Sequence, residues 1–109
     1  MQMAIHRLDL DVAIYRDRVQ VTHRATGVFV DQRAKYAFSS ETHLVEHPRY
    51  LEDTMVRAIR KILQQGGFAL REPIAHVVGC DGELDDTART IIEECLRETG
   101  MTQVIFDLP

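Results

Sequence analysis

Four side chains able to ligate zinc, Glu41, His43, Glu46 and His47, fall in one short segment. His43 and His47 would share a face if that segment were helical. Pro48 follows directly, and the polar surroundings favour an irregular loop, so no metal centre is assigned. Asp81-Gly82-Glu83-Leu84-Asp85-Asp86 looks at first like a calcium loop. Such a loop wants glycine at its sixth place and glutamate at its twelfth, where this chain has Asp86 and Ile92. The acids read better as the start of a helix, where the helix dipole favours negative charge. Cys80 and Cys95 lack metal-type spacing and read as inert thiols, Cys95 in the core. His6, His23 and His76 are isolated and are expected on strand surfaces or with satisfied ring nitrogens. Tyr36 and Phe38 flank Arg33 and Lys35, a patch too small to specify nucleic acid. Spacing alone locates no Ser/His/Asp or Cys/His arrangement. Hence no catalytic, cofactor-binding or metal residue is assigned, and no cofactor is expected.

The elements that must carry these groups belong to one domain of 109 residues, long enough for a real core. A 45% hydrophobic and 28% charged composition is that of an ordinary globular chain. The net charge of -4, with 13 basic residues scattered along the chain, argues against tracking nucleic-acid phosphates. No apolar run approaches the ~20 residues of a membrane span. Met1 to His6 contains no apolar signal-peptide core. A cytoplasmic protein is the simple expectation.

Residues 5–31 read as strands. Ile5, Leu8, Leu10, Val12 and Ile14 set one register, Tyr15-Arg16-Asp17-Arg18 a hairpin turn, Val19 to Thr22 a second strand and Val28 to Val30 a third. Short links make these antiparallel neighbours. Residues 32–48 are irregular. A helix follows over about 49–65, with Leu51, Met55, Ala58, Ile59, Ile62 and Leu63 on one stripe and Gly66-Gly67 as its stop. Ile74 to Gly79 is the fourth strand. Leu84, Ala88, Ile91, Ile92, Cys95 and Thr99 trace a second helix, with Asp85 or Asp81 as its N-terminal acceptor and Gly100 as its end. Gln103 to Phe106 is a last strand, apolar at Val104, Ile105 and Phe106 and expected to be buried on both faces. The order β-β-β-α-β-α-β predicts an α/β fold with a mixed five-stranded sheet.

That order is the ribonuclease-H-like core shared by actins, sugar kinases and many nucleases. The residues resemble one branch, the bacterial actin homologues that determine rod shape (MreB-like proteins). Arg89 to Gly100, then Val104-Ile105-Phe106 and Pro109, look like that family's helix, strand and proline ending. Leu8-Asp9-Leu10 and Val12 to Tyr15 resemble its first two strands, and Val45 to Leu63 its following helix. The resemblance covers nearly the whole chain but only the first subdomain of a longer protein.

The resemblance implies ATP binding through a glycine- and threonine-containing hairpin after the first strand's aspartate, where amides and hydroxyls meet phosphate. Here Leu8-Asp9-Leu10 runs straight into Asp11-Val12, so that hairpin reads as deleted, with Asp11 placing negative charge where phosphate would sit. Leu108 stands where the resemblance implies a hydrolytic glutamate, with Asp107 one place earlier. The second nucleotide-binding domain is not in the sequence. A non-catalytic domain acting by protein–protein contact is therefore expected, linked to cell shape or cytoskeleton. An alternative is a metal-dependent nuclease or phosphodiesterase whose Asp9, Asp11, Asp53 and Asp107 hold two Mg²⁺ ions. Another is a small-ligand-binding regulator. Crossovers of one hand would place both helices on one face of the sheet. The other face is then open unless residues 32–48, with Tyr36, Phe38 and Leu44, roof it, and a twofold homodimer is expected to bury it.

Overall fold

The computed structural model describes residues 6–109. Ile5, expected to open the first strand, lies outside the described residues. The elements are β1 (His6–Tyr15), β2 (Arg18–His23), β3 (Phe29–Arg33), α1 (Pro48–Leu63), β4 (Phe68–Cys80), α2 (Asp86–Glu98) and β5 (Gln103–Phe106). They form one sheet in the order β3-β2-β1-β4-β5. The β1–β2 and β2–β3 pairs are antiparallel, and β1–β4 and β4–β5 are parallel. This is the mixed five-stranded α/β sheet the element order predicts.

Alternation along β1 divides the sheet into a core face and an open face. Leu8, Leu10, Val12 and Ile14 are buried, while Arg7, Asp9 and Asp11 point the other way. Both crossovers step from the β3 edge toward the β5 edge, so right-handedness puts both helices on one face. Accordingly α1 packs on β2, β3 and α2, and α2 also packs on β5. Leu51, Met55 and Ile62 of α1 and Ile92 and Leu96 of α2 meet the strand residues fully buried. Leu96 belongs to the α2 stripe, although the sequence reading left it out.

The helix ends follow ordinary capping chemistry. Proline occupies the first turn of α1, where its missing N–H leaves nothing unpaired. The α2 cap is Asp85, whose carboxylate accepts the Ala88 amide at 2.8 Å.

Three expectations need correction. Leu8–Leu10 and Val12–Tyr15 are not two strands but one continuous β1, since nothing between them can turn the chain. β4 begins at Phe68 rather than Ile74. Its first residues pair with His6 and Arg7, the chain then swings out through Leu70 to Pro73, and Ile74 rejoins opposite Asp9. Glu72 makes that detour with φ of 52°, and the Arg7 guanidinium donates to its carbonyl at 3.1 Å. β5 is not buried on both faces: Val104 and Phe106 pack on the core, and Ile105 lies on the open face. Residues 32–48 leave the open face unroofed, in line with their polar, proline-ended sequence. Phe38, fully buried, and Val45 turn into the helix-side core.

Candidate functional site

The parallel strands β1, β4 and β5 end on the same edge of the sheet, where α/β folds usually place their chemistry. Gathered there are the β1–β2 hairpin, the irregular 34–47 segment, the β4–α2 loop and residues 107–109.

β1 runs straight through Asp11, and the first hairpin of the sheet comes after Tyr15. It is the tight turn Tyr15-Arg16-Asp17-Arg18, with Asp17 at φ 54° and no glycine. Its amides are already engaged. Arg16 N–H donates to the Asp81 carboxylate at 2.9 Å, and Asp17 N–H donates to the Ser39 hydroxyl at 3.3 Å. In return Asp17 accepts the Ser39 amide at 2.8 Å through its side chain and the Ala34 amide at 2.8 Å through its carbonyl. The Arg16 guanidinium reaches the Ser40 carbonyl. The Asp81 amide donates to the Ile14 carbonyl at 3.1 Å, which fixes the β4–α2 loop against the turn.

Two cavities open on this edge. One of about 350 Å³ lies between the end of β4, the first turns of α2 and Leu108-Pro109, with Cys80, Glu83 and Arg89 in its wall. Arg89 stacks over the Phe106 ring at 5.3 Å. The other, about 220 Å³, lies between residues 42–45 and α2, and Glu83 and Leu84 border both.

The four carboxylates weighed as a Mg²⁺ cluster are not brought together. Asp9 and Asp11 lie on the open face. Asp9 Oδ1 is 2.7 Å from His76 Nε2, so His76 is a satisfied strand histidine, as expected. Asp11 accepts the Arg24 guanidinium at 2.5 Å, and this bond holds the Arg24 pKa above its ordinary value. Asp53 is on α1, across the sheet, where it accepts Arg57 at 2.8 Å. Asp107 follows β5, its amide donating to the Val77 carbonyl at 2.9 Å. Among the described residues no group of three His, Cys, Asp or Glu could hold a metal ion.

The other candidates fall out as local structure. His43 sits 3.5 Å from Glu46 and 2.9 Å from the Thr42 hydroxyl, while His47 stacks beside Tyr50, so the segment's ligands do not converge. Asp81 and Asp85 are spent on the hairpin and the helix cap. His23 is fully buried with both ring nitrogens satisfied, one at 2.8 Å from Thr26 Oγ1 and one at 2.8 Å from the Arg7 carbonyl. Burial pushes the Cys95 thiol up to about 11. Burial, then the Asp81 charge, raises that of Cys80.

The aromatic-basic patch is reorganised. Phe38 leaves it for the core, and Tyr50 and His47 join Tyr36 and Lys35. The sequence signal was available: Tyr50 precedes Leu51 on α1 and lies off the apolar stripe.

The strand order and the two same-face crossovers give the chain an actin-like α/β fold. Superposition on the crystal structure of MreB5 of Spiroplasma citri bound to ADP gives a TM-score of 0.69 at 9% identity. The match covers 92% of this chain and 37% of that chain, so the sequence spans little more than a third of that protein's length. The MreB-type actin fold, expected from Arg89 to Gly100 and the strand beyond, is thus present. No protein-family model and no curated protein matches the sequence.

Proposed function

We propose that this chain is a non-catalytic actin-like domain that acts through protein–protein contact, with a cytoplasmic partner in cell shape or the cytoskeleton. One observation carries the reading. The first hairpin of the sheet has no glycine to bring backbone close to a phosphate, and its Arg16 amide is held by the chain's own Asp81 carboxylate. A phosphate brought there would meet a negative charge at hydrogen-bond distance instead of a free donor. Asp9 and Asp11, each already paired with a cationic or protonatable partner, lend no support to a two-metal nuclease.

Calorimetric titration with Mg²⁺-ATP tests this. No saturable heat is expected at millimolar nucleotide, and a micromolar dissociation constant would restore an actin-like mechanism. The cavity of about 350 Å³ favours one second reading, a small-ligand-binding regulator, since it reaches the lower end of ligand-pocket volumes. Self-association is the form of contact that the open face of the sheet supports.

A further inference from the structure

Four large apolar or aromatic side chains are exposed among the described residues, and two of them touch. Tyr36, 49% exposed, and Tyr50, 41% exposed, hold their rings 5.3 Å apart at a tilt of 35°. His47 continues the row, its ring 5.4 Å from that of Tyr50. Side chains from the irregular segment and the first turn of α1 therefore form one aromatic ledge on the protein surface. Its margin holds two unpaired cations, while the neighbouring Glu46 lies 3.5 Å from His43. Lys35 lies 5.5 Å over the Tyr36 ring, Arg49 is exposed next to Tyr50, and neither is in an ion pair among the described residues. The first turn of α1 contains no acidic residue. The acids that follow on the helix are Glu52 and Asp53, and Asp53 is occupied by Arg57.

From this arrangement we infer that the Lys35–Tyr36–His47–Arg49–Tyr50 ledge docks an acidic, partly apolar segment of a partner protein. The inference rests on the reading of this chain as a domain that works through protein contact, and it names the surface. Tyrosine is among the side chains that most often anchor interfaces, because it covers a large area at little conformational cost. The rings accept an apolar side chain. The unpaired cations select carboxylates beside it and also hold position through the cation–π contact. A stacked aromatic platform with cations also suits single-stranded nucleic acid. Two cations on a chain of net charge -4 are too few to follow a phosphate backbone, and the overall field repels a polyanion. A peptide with spaced carboxylates needs only these two.

The test uses the intact chain and a fluorescein-labelled peptide of alternating glutamate and leucine, read by anisotropy. Its lysine-for-glutamate counterpart and an oligothymidine of similar length run in parallel. Saturable binding of the glutamate peptide is expected, weakening as salt is raised. Tyr50→Ala and the pair Lys35→Glu with Arg49→Glu should each reduce affinity about tenfold, equivalent to ~1.4 kcal/mol. Glu94→Ala, on the exposed side of α2, should leave it unchanged. These positions are exposed, and an unchanged circular dichroism spectrum confirms that the variants fold. Equal binding of the lysine peptide, tighter binding of oligothymidine, or no saturation at millimolar peptide would overturn the proposal. Light scattering separates the two readings: a parent chain that self-associates yet ignores the peptide refutes the ledge and leaves the protein-contact reading standing.

Discussion

The Asp81 carboxylate accepts the Arg16 amide at 2.9 Å, joining the β4–α2 loop to the β1–β2 hairpin across 65 positions of sequence. The Asp81 amide in turn donates to the Ile14 carbonyl, so the contact works in both directions. It closes this edge of the sheet and leaves the Arg16 amide engaged.

Asp81→Ala removes the acceptor and leaves the Arg16 amide to water. Because the site is exposed, the expected loss is about 1 kcal/mol, that of an ordinary hydrogen bond rather than one to a buried charge. Urea denaturation would read this as a lower midpoint at an unchanged slope. An unaltered midpoint would show that the hairpin is held by Ser39 and Ala34 alone.

The core prediction concerns Ile59, 5% exposed, and Ile92, fully buried, one on each helix. Replacing either with alanine is expected to cost ~2–5 kcal/mol, through lost burial and the cavity left behind. Arg97→Ala should cost under about 1 kcal/mol, since that exposed side chain contributes only surface bonds to Glu93 and the Thr102 carbonyl. Comparable losses for Ile92→Ala and Arg97→Ala would mean that the α2 register is wrong.

What the sequence disclosed follows the range of the interaction that decides each feature. Local patterns were legible: β5 spans Gln103–Phe106 as read, Asp85 caps α2, and the turn after Tyr15 is where charged turn residues placed it. The early start of β4 was hidden because Gly66-Gly67, Arg71-Glu72 and Pro73 read as breakers, and only pairing with β1 makes Phe68-Ala69 a strand. Phe38 looked like a surface aromatic because its segment is polar, yet one ring turned inward fills the gap beside α1. For the site, residue types alone showed that Asp9 and Asp11 were candidates. Their engagement by His76 and Arg24 depends on strand pairing across 67 and 13 positions, which no local pattern records.

Cys95 gives a pH dependence. Its thiol is raised from about 9 to about 11, chiefly by burial, with Glu52, Glu94 and Glu98 adding to the shift. Below the unfolded value both states keep the proton and stability is unaffected. Between the two values the unfolded chain loses its proton while the native chain keeps it, so stability falls as pH rises through that window. Cys95→Ala should start less stable but show a shallower decline between pH 9 and 11 than the parent. At pH 8 a thiol reagent should modify half-exposed Cys80 first and reach Cys95 only on unfolding. Rapid double labelling of the native chain would refute the burial of Cys95.

The open face carries the last prediction. Strand register aligns Phe29, Thr22, Asp11, His76 and Ile105 in one row across all five strands. The centre of that row is polar, with Asp11 held by Arg24 and His76 held by Asp9. Its two ends are apolar, Phe29 at 53% exposure and Ile105 half-buried. The face is thus not the continuous apolar patch expected from β5, and burial on both sides cannot drive association by itself. A twofold axis through the middle of the row would set Phe29 against the partner's Ile105, twice, with the Asp11–Arg24 and Asp9–His76 contacts remaining satisfied between them. Closed twofold pairing is the commonest way for one face to cover itself. Light scattering at micromolar concentration should then report about twice the 12.5 kDa chain mass. Phe29→Glu and Ile105→Glu should each return the monomer without lowering its melting temperature, because both side chains are at least partly exposed. A monomeric parent would remove the sheet face as a contact surface, and a dimer indifferent to both substitutions would place the interface elsewhere.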